Sequence, residues 1–398
     1  MKTKSNFRVS LGLFVLTLML TSCGQQVKEV EKKVFYPPPP SLPRLQYLTA
    51  YSTSADIEGK NAFEEFVVGK KQIRGLDKPY GVAMWRGKIY VCDTNRTLMV
   101  FDLIEKKFGR LKGAQGLGTL KQPLNIDIDE EGNKYVVDPI RGQVVKYDQN
   151  DFYVDAVGIP GTWKPVDVEV YRDRIYVADL KDFTIKIFEK DTMKFIKKIG
   201  QNSDRREENL AMPINIAFSE DGYMYVTDAA RFQVLKFDRD GHFLGTIGKH
   251  GDHPGEFARP RGVAVDREGR IYVVDAAFDN VQIFDPEGHL LTFFGGPGNK
   301  PGDLFLPAAV YIDYDQGDIE LFNKYIDPKF KVEYLVLVTS QFGERLVNIY
   351  AFGREKGKHY PTIQELIEMR KRQLEELQKT FGTEEGKTEQ GGKGQEEE

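Results

Sequence analysis

The stretch from Ile271 to Asp285, IYVVDAAFDNVQIFD, sets Asp275, Asp279 and Asp285 among apolar runs. Three carboxylates this close in sequence can ligate a hard cation or work as an acid–base pair. A second candidate is KHGDHPGEF, in which His250, Asp252 and His253 have metal-ligand composition and an HxxH spacing. The usual hydrolytic and nucleotide signatures (GxSxG, HExxH, a Walker loop) are absent from the sequence. With only Cys23 and Cys92, and no CxxCH, the chain attaches no c-type haem. Cys92, inside IYVCD, reads as a small buried hydrophobe of a strand.

The three aspartates lose their singularity when the rest of the chain is read. KIYVCDTNRTLMVFD (88–102), KYVVDPIRGQVVKYD (134–148), RIYVADLKDFTIKIFE (174–189) and MYVTDAARFQVLKFD (224–238) repeat the same design. Each is a β-rich run, an aspartate, a short link and a second β-rich run. Asp93, Asp138, Asp179, Asp228 and Asp275 therefore share one place, and catalysis does not need a residue five times. A carboxylate after a strand is expected to accept backbone N–H groups in the following turn. In three copies an arginine follows three residues later (Arg96, Arg141, Arg231), as an ion pair or cap would require. A degenerate sixth copy is read at 318–323, DIELFN, with Asn323 in the aspartate's place.

A proline marks the start of each copy, at Pro79, Pro123, Pro165, Pro213, Pro260 and Pro307, with steps of 44, 42, 48, 47 and 47 residues. Six units of this period are a repeat architecture. Each unit holds four short strands joined by Gly- and Asp-rich turns, which is the content of one propeller blade. The expected fold is all-β, a six-bladed β-propeller with a C-terminal helix. The units resemble the NHL repeat; Gly255–Asp266 (GEFARPRGVAVD) followed by Ile271–Asp285 is the copy most like it. The resemblance spans roughly 75–350 and implies an interaction platform. Some relatives of the NHL propeller are enzymes, among them a lyase acting on peptidyl-hydroxyglycine through metal-bound histidines. This chain lacks matching histidines on several blades.

A propeller's innermost strands line its channel, so departures from the repeat within them are where function is expected. Asn125, Asp127, Asp167, Glu169 and Asn215 fall on the first strands of blades two to four and can converge on one sector. Such oxygen ligands suit Ca²⁺; equally, they can bond interblade backbone or channel water. Arg261, unlike its counterparts Tyr80, Leu124, Val166, Ile214 and Ala308, is expected at the channel rim, facing solvent, the acidic sector or an anionic ligand.

The first 23 residues read as a targeting segment. Lys2, Lys4 and Arg8 precede an apolar run from Val9 to Leu20, too short to span a bilayer, and LTSC ends it. This resembles a bacterial lipobox, with Cys23 the lipidated residue. Gly24 favours the outer membrane of the cell envelope. Residues 23–43, with four consecutive prolines (Pro37–Pro40), are expected to form a stiff polyproline tether or a docking peptide. The propeller is assigned to 44–355, an amphipathic helix to 362–381 and a disordered acidic tail to 382–398. Closure is left open between LQYLTAYS (45–52) and LVNIYAF (346–352) as the outermost strand of blade six. Net charge is −4, and Gly382–Glu398, with six Glu and two Lys, accounts for all of it. No basic patch supports nucleic-acid binding. The sequence thus reads as a lipid-anchored scaffold for an envelope protein or peptide, a cytochrome or secretion complex being one setting. The alternative is a cation-dependent hydrolase or lyase centred on the channel.

Overall fold

The computed structural model describes residues 33–59, 72–201 and 204–388. Residues 1–32, on which the expected targeting segment and Cys23 fall, together with 60–71, 202–203 and 389–398, lie outside them. Everything below concerns the unit Val34–Glu398.

Five antiparallel four-stranded sheets and one five-stranded sheet form the fold. Each alternates apolar residues on both faces, because each face packs against a neighbouring sheet. Blade three is representative: Pro165–Tyr171, Arg174–Asp179, Thr184–Glu189 and Phe195–Ile199 run in order from the inside outward. Its Val166, Tyr176, Ile185 and Ile187 share a buried core with Ile216, Val226, Leu235 and Phe237 of blade four. First strands meet in sequence around the ring, from Pro79–Trp85 to Pro307–Asp313 and back to the first. Burying each such aliphatic side chain contributes about 1.5–3 kcal/mol, so the blades hold together chiefly through these interblade cores.

The recurrent aspartates act as the turn chemistry predicts, and do more. Asp138, wholly buried, accepts Ile140 N–H and Arg141 N–H in the following turn. It also accepts Lys121 N–H and Gln122 N–H from the segment entering the blade, at 2.5 and 3.0 Å. Asp93, Asp179, Asp228 and Asp275 likewise bridge the following turn and the entering segment. The carboxylate thus ties strand two to the start of strand one. Of the three arginines, Arg231 approaches its aspartate at 3.8 Å, while Arg141 instead bonds Gln143 and Thr119 O.

Blade six corrects the reading of the sixth copy. In blades one, three, four and five the proline pairs with the aspartate: Pro79 with Asp93, Pro165 with Asp179, Pro213 with Asp228 and Pro260 with Asp275. In blade six Pro307 pairs with Ser340, so Ser340 and not Asn323 holds the aspartate's place. Residues 318–323 belong to a short helix, Gln316–Glu320, and the turn after it, capped by Asp315 accepting Asp318 N–H. The second strand is Phe330–Ser340.

Closure uses both candidate strands. Val347–Glu355 is the third strand of blade six, and Leu45–Tyr51 pairs antiparallel outside it as the fourth. Phe35–Tyr36 adds a short fifth. The blade therefore begins at Phe35, not 44, and the proline run lies against the ring. Tyr36 donates its hydroxyl to Gly302 O at 3.0 Å and its ring packs near Phe294 and Tyr350.

The C-terminal helix runs Ile363–Thr388, seven residues past its expected end. It opens with a capping box, Glu365 N–H to Thr362 Oγ1 and Thr362 N–H back to the Glu365 carboxylate. Ile363 is buried and Leu366 half-buried against the ring. Arg370 and Lys371 pair with Asp285 and Glu287 of blade five. Beyond these contacts Leu374 is exposed. No helix among the described residues is long and apolar enough to cross a membrane.

Candidate functional site

The first strand of every blade leaves one edge facing the channel, with N–H groups that no strand pairs. An unpaired edge must be satisfied by other groups. The channel polar residues do this, each reaching into the next blade. Asp127 Oδ2 of blade two accepts Val170 N–H at 2.7 Å. Asp167 Oδ2 accepts Ile216 N–H at 2.6 Å, and its other oxygen takes the Asn125 side-chain amide. Glu169 accepts Phe218 N–H, and Asn215 Oδ1 accepts Val263 N–H at 2.6 Å. All five take part in bonds between blades.

Where the equivalent residue is glycine, space is the reason. A Cβ on Gly81 would lie 2.6 Å from the Asn125 Cα, and one on Gly262 would lie 2.9 Å from the Ala309 Cα. Blade six uses other residues for the same end. Thr339 accepts Ala309 N–H and donates to Tyr80 O, and the Tyr311 hydroxyl donates to Met84 O. Sequence reasoning passed over both. Tyr311 stands out in its series (Ala83, Asp127, Glu169, Ala217, Ala264) by size, while Thr339 was hidden by the misplaced second strand.

The cavity these residues enclose has a volume of about 130 Å³. It brings Asp127, Asp167 and Glu169 together with Tyr311. Burial disfavours the ionised forms. It pushes the Asp127 carboxyl up to about 7, against the pull of Val170 N–H. Burial, and then the nearby Asp127 and Asp167 charges, hold Glu169 well above the ordinary carboxylate range. Asp167 is raised in the same way, by burial first. As a calcium site the cluster fits poorly. Both oxygens of Asp167 are engaged, while Asp127 and Glu169 each commit an oxygen to backbone N–H; Ca²⁺ takes six to eight oxygens.

Arg261 does not join the acids. It sits at the channel mouth, donating to the Tyr80 hydroxyl at 3.1 Å across the width of blade six. The aspartates of the opening motif are likewise accounted for. Asp279 adopts φ 53° in the turn before strand three and accepts Leu306 N–H from the segment entering blade six. Asp285 holds Glu287 N–H, His289 N–H and Arg370. In the histidine loop, Asp252, His253 and Glu256 gather at the surface. Lys249 already pairs with Glu256 at 3.1 Å, and His250 turns away onto Phe232.

The channel mouth lies on the ring face that carries the recurrent aspartates. The same face carries exposed apolar side chains from turns between strands two and three (Ile140, Phe183, Phe342) and from links between blades (Ile159, Met212, Phe305). Phe305 and Phe342 pair with ring centroids 6.1 Å apart.

A profile of the DUF5128 family, described as "6-bladed beta-propeller", matches residues 204–289. No curated protein matches the chain. Among solved structures it is similar to a structural genomics protein of unknown function from Bacteroides thetaiotaomicron (14% identity, 77% of this chain and 75% of that one, TM-score 0.53). It is also similar to an auxiliary nutrient binding protein from the same organism (12%, 70% and 70%, 0.52). A third is a gluconolactonase from Xanthomonas campestris (15%, 82% and 99%, 0.50). At these identities the likeness is one of fold, and the fold is a six-bladed β-propeller.

Proposed function

We propose that the chain is a non-enzymatic binding scaffold, built from NHL-type repeats and held at the bacterial envelope by lipid on Cys23. The observation that carries the scaffold reading is the ring face that bears the recurrent aspartates. Six large apolar side chains from separate loops stand exposed there, an arrangement suited to a protein or peptide partner. A rigid ring presents these loops, as binding surfaces generally require. The channel acids support the same reading, since they spend oxygens on interblade N–H groups. The anchor, the outer-membrane location and the cytochrome or secretion setting rest on the sequence and its resemblance.

Crosslinking in intact cells tests the scaffold, comparing the full chain with a Phe305→Ser/Phe342→Ser variant. The expected result is a crosslinked partner that the variant loses while keeping its melting temperature. An unchanged crosslinking pattern would remove this face from the proposal. Separately, Cys23→Ala is expected to release the chain from membranes; continued attachment would overturn the anchor.

A further inference from the structure

A cleft of about 460 Å³ opens between blades one and two, on the end of the ring opposite the recurrent aspartates. One wall is the Trp85–Arg86 turn, and the other is the turn carrying Gln149, Asn150 and Phe152. Lys88 and Lys112 complete the lining. The volume falls in the small-molecule range of roughly 300–1,000 Å³.

The floor is fixed by a buried charge node. Lys134, fully buried, lies 2.7 Å from Asp151 and donates to Asp148 O and Gln149 O at 3.1 and 3.0 Å. Its ammonium lies 4.9 Å from the Trp85 ring centroid. Asp151, at φ 73°, also takes Lys88 at 3.2 Å and the Tyr90 hydroxyl at 3.0 Å. One carboxylate thus serves two lysines. The neighbouring Asp148 is turned to its own loop, accepting Asn150 N–H and Phe152 N–H. Burying a lysine is costly unless it is well bonded, and here it locks both walls in place. Arg86 and Lys112 form no ion pair among the described residues. The cleft therefore combines an excess of positive charge, two aromatic rings and two side-chain amides.

We propose that this cleft binds an anionic sugar, a pyranose bearing a carboxylate or phosphate. Phe152, exposed, offers a flat apolar face to the ring's C–H groups, while Trp85, with Arg86 4.6 Å and Lys134 4.9 Å from its ring centroid, forms the cationic wall beside it. Gln149 and Asn150 can donate to and accept from its hydroxyls. Arg86, Lys88 and Lys112 meet the anionic group with charge-assisted bonds. The proposal stands independently of the scaffold reading.

Calorimetric titration of the full chain with sodium glucuronate, glucose 6-phosphate, glucose and inorganic phosphate tests it. At least one anionic sugar is expected to saturate and to bind about tenfold or more tighter than glucose or phosphate, a step of ~1.4 kcal/mol. Which of the two binds names the anion. Arg86→Gln/Lys112→Gln is expected to weaken that binding by about tenfold without shifting the melting temperature. Equal affinity for glucose, equal affinity for bare phosphate, or undiminished binding by the double variant would overturn the proposal. So would no binding of either anionic sugar, or tighter binding of an acidic hexapeptide.

Discussion

Asp167 of blade three accepts the main-chain N–H of Ile216 in blade four at 2.6 Å while its second oxygen takes the Asn125 amide of blade two. One carboxyl group therefore ties three consecutive blades. Asp167→Ala leaves two buried donors without acceptors. Each unsatisfied buried group costs about 1–3 kcal/mol, so a total loss of about 2–6 kcal/mol is expected in urea unfolding. A loss below about 1 kcal/mol, the size of one ordinary hydrogen bond, would deny the tie its structural weight.

Asp127 links stability to pH. Burial raises its folded carboxyl from the ordinary value of 3.8 to about 7, so between these values the folded state binds the extra proton. Stability contributed by this group is greatest below the lower value, falls as pH rises toward 7 and is level above it. Asp313 (about 7) and Asp318 (about 6) titrate in the same window and direction. Asp127→Asn keeps an acceptor for Val170 N–H and removes the titration. Melting measured from pH 4 to 8 should therefore show a shallower decline for the variant than for the parent; equal slopes would contradict the assignment.

The recurrent turn should be costly to break where an aspartate fills it and cheaper where serine does. Asp275→Ala strips the acceptor from Ala258, Arg259 and Ala277 N–H, for a loss of about 2–4 kcal/mol. Ser340→Ala loses two long bonds, from Phe305 N–H at 3.2 Å and the Asn348 amide at 3.3 Å, and the amide keeps Arg345 O, for about 1–2 kcal/mol. Denaturant midpoints of the two variants test the ordering.

Ring closure makes the N-terminal strand part of the folded unit. A chain beginning at 45 loses the Phe35–Tyr36 strand and the Tyr36–Gly302 bond, and should melt lower while remaining monomeric. A chain beginning at 53 also exposes the Val347–Phe352 edge that Leu45–Tyr51 covers. An uncovered edge is a template for association, so light scattering should rise on warming. A monomeric, unchanged 53-start chain would show that closure does not depend on this strand.

The C-terminal helix is held at its start through Arg370 on the fully buried Asp285 carboxylate. Arg370→Glu should set two acids against each other and free the helix from blade five. Limited proteolysis is expected to cut the variant faster within 363–376 while the propeller core survives.

The sequence by itself determined the blades. Strand alternation and turn residues are local, so a period of 42–48 residues, a proline at the start and an aspartate after strand two spell out one unit each time. Reading failed where that local code lapses. Blade six replaces the aspartate with Ser340 and inserts a helix, so the repeat-like pattern at 318–323 falls on a helix and its following turn. The five channel residues stand out because they break the repeat, but which way they point depends on a partner in the next blade: for Asp127 and Asp167 an N–H 43 and 49 residues away, for Asn125 the Asp167 carboxylate. Only the tertiary structure decided that, as it decided that Leu45–Tyr51 pairs with Val347–Phe352 across nearly the whole chain. Pairings of that separation leave no mark in local pattern, because what selects them is the closing of the ring.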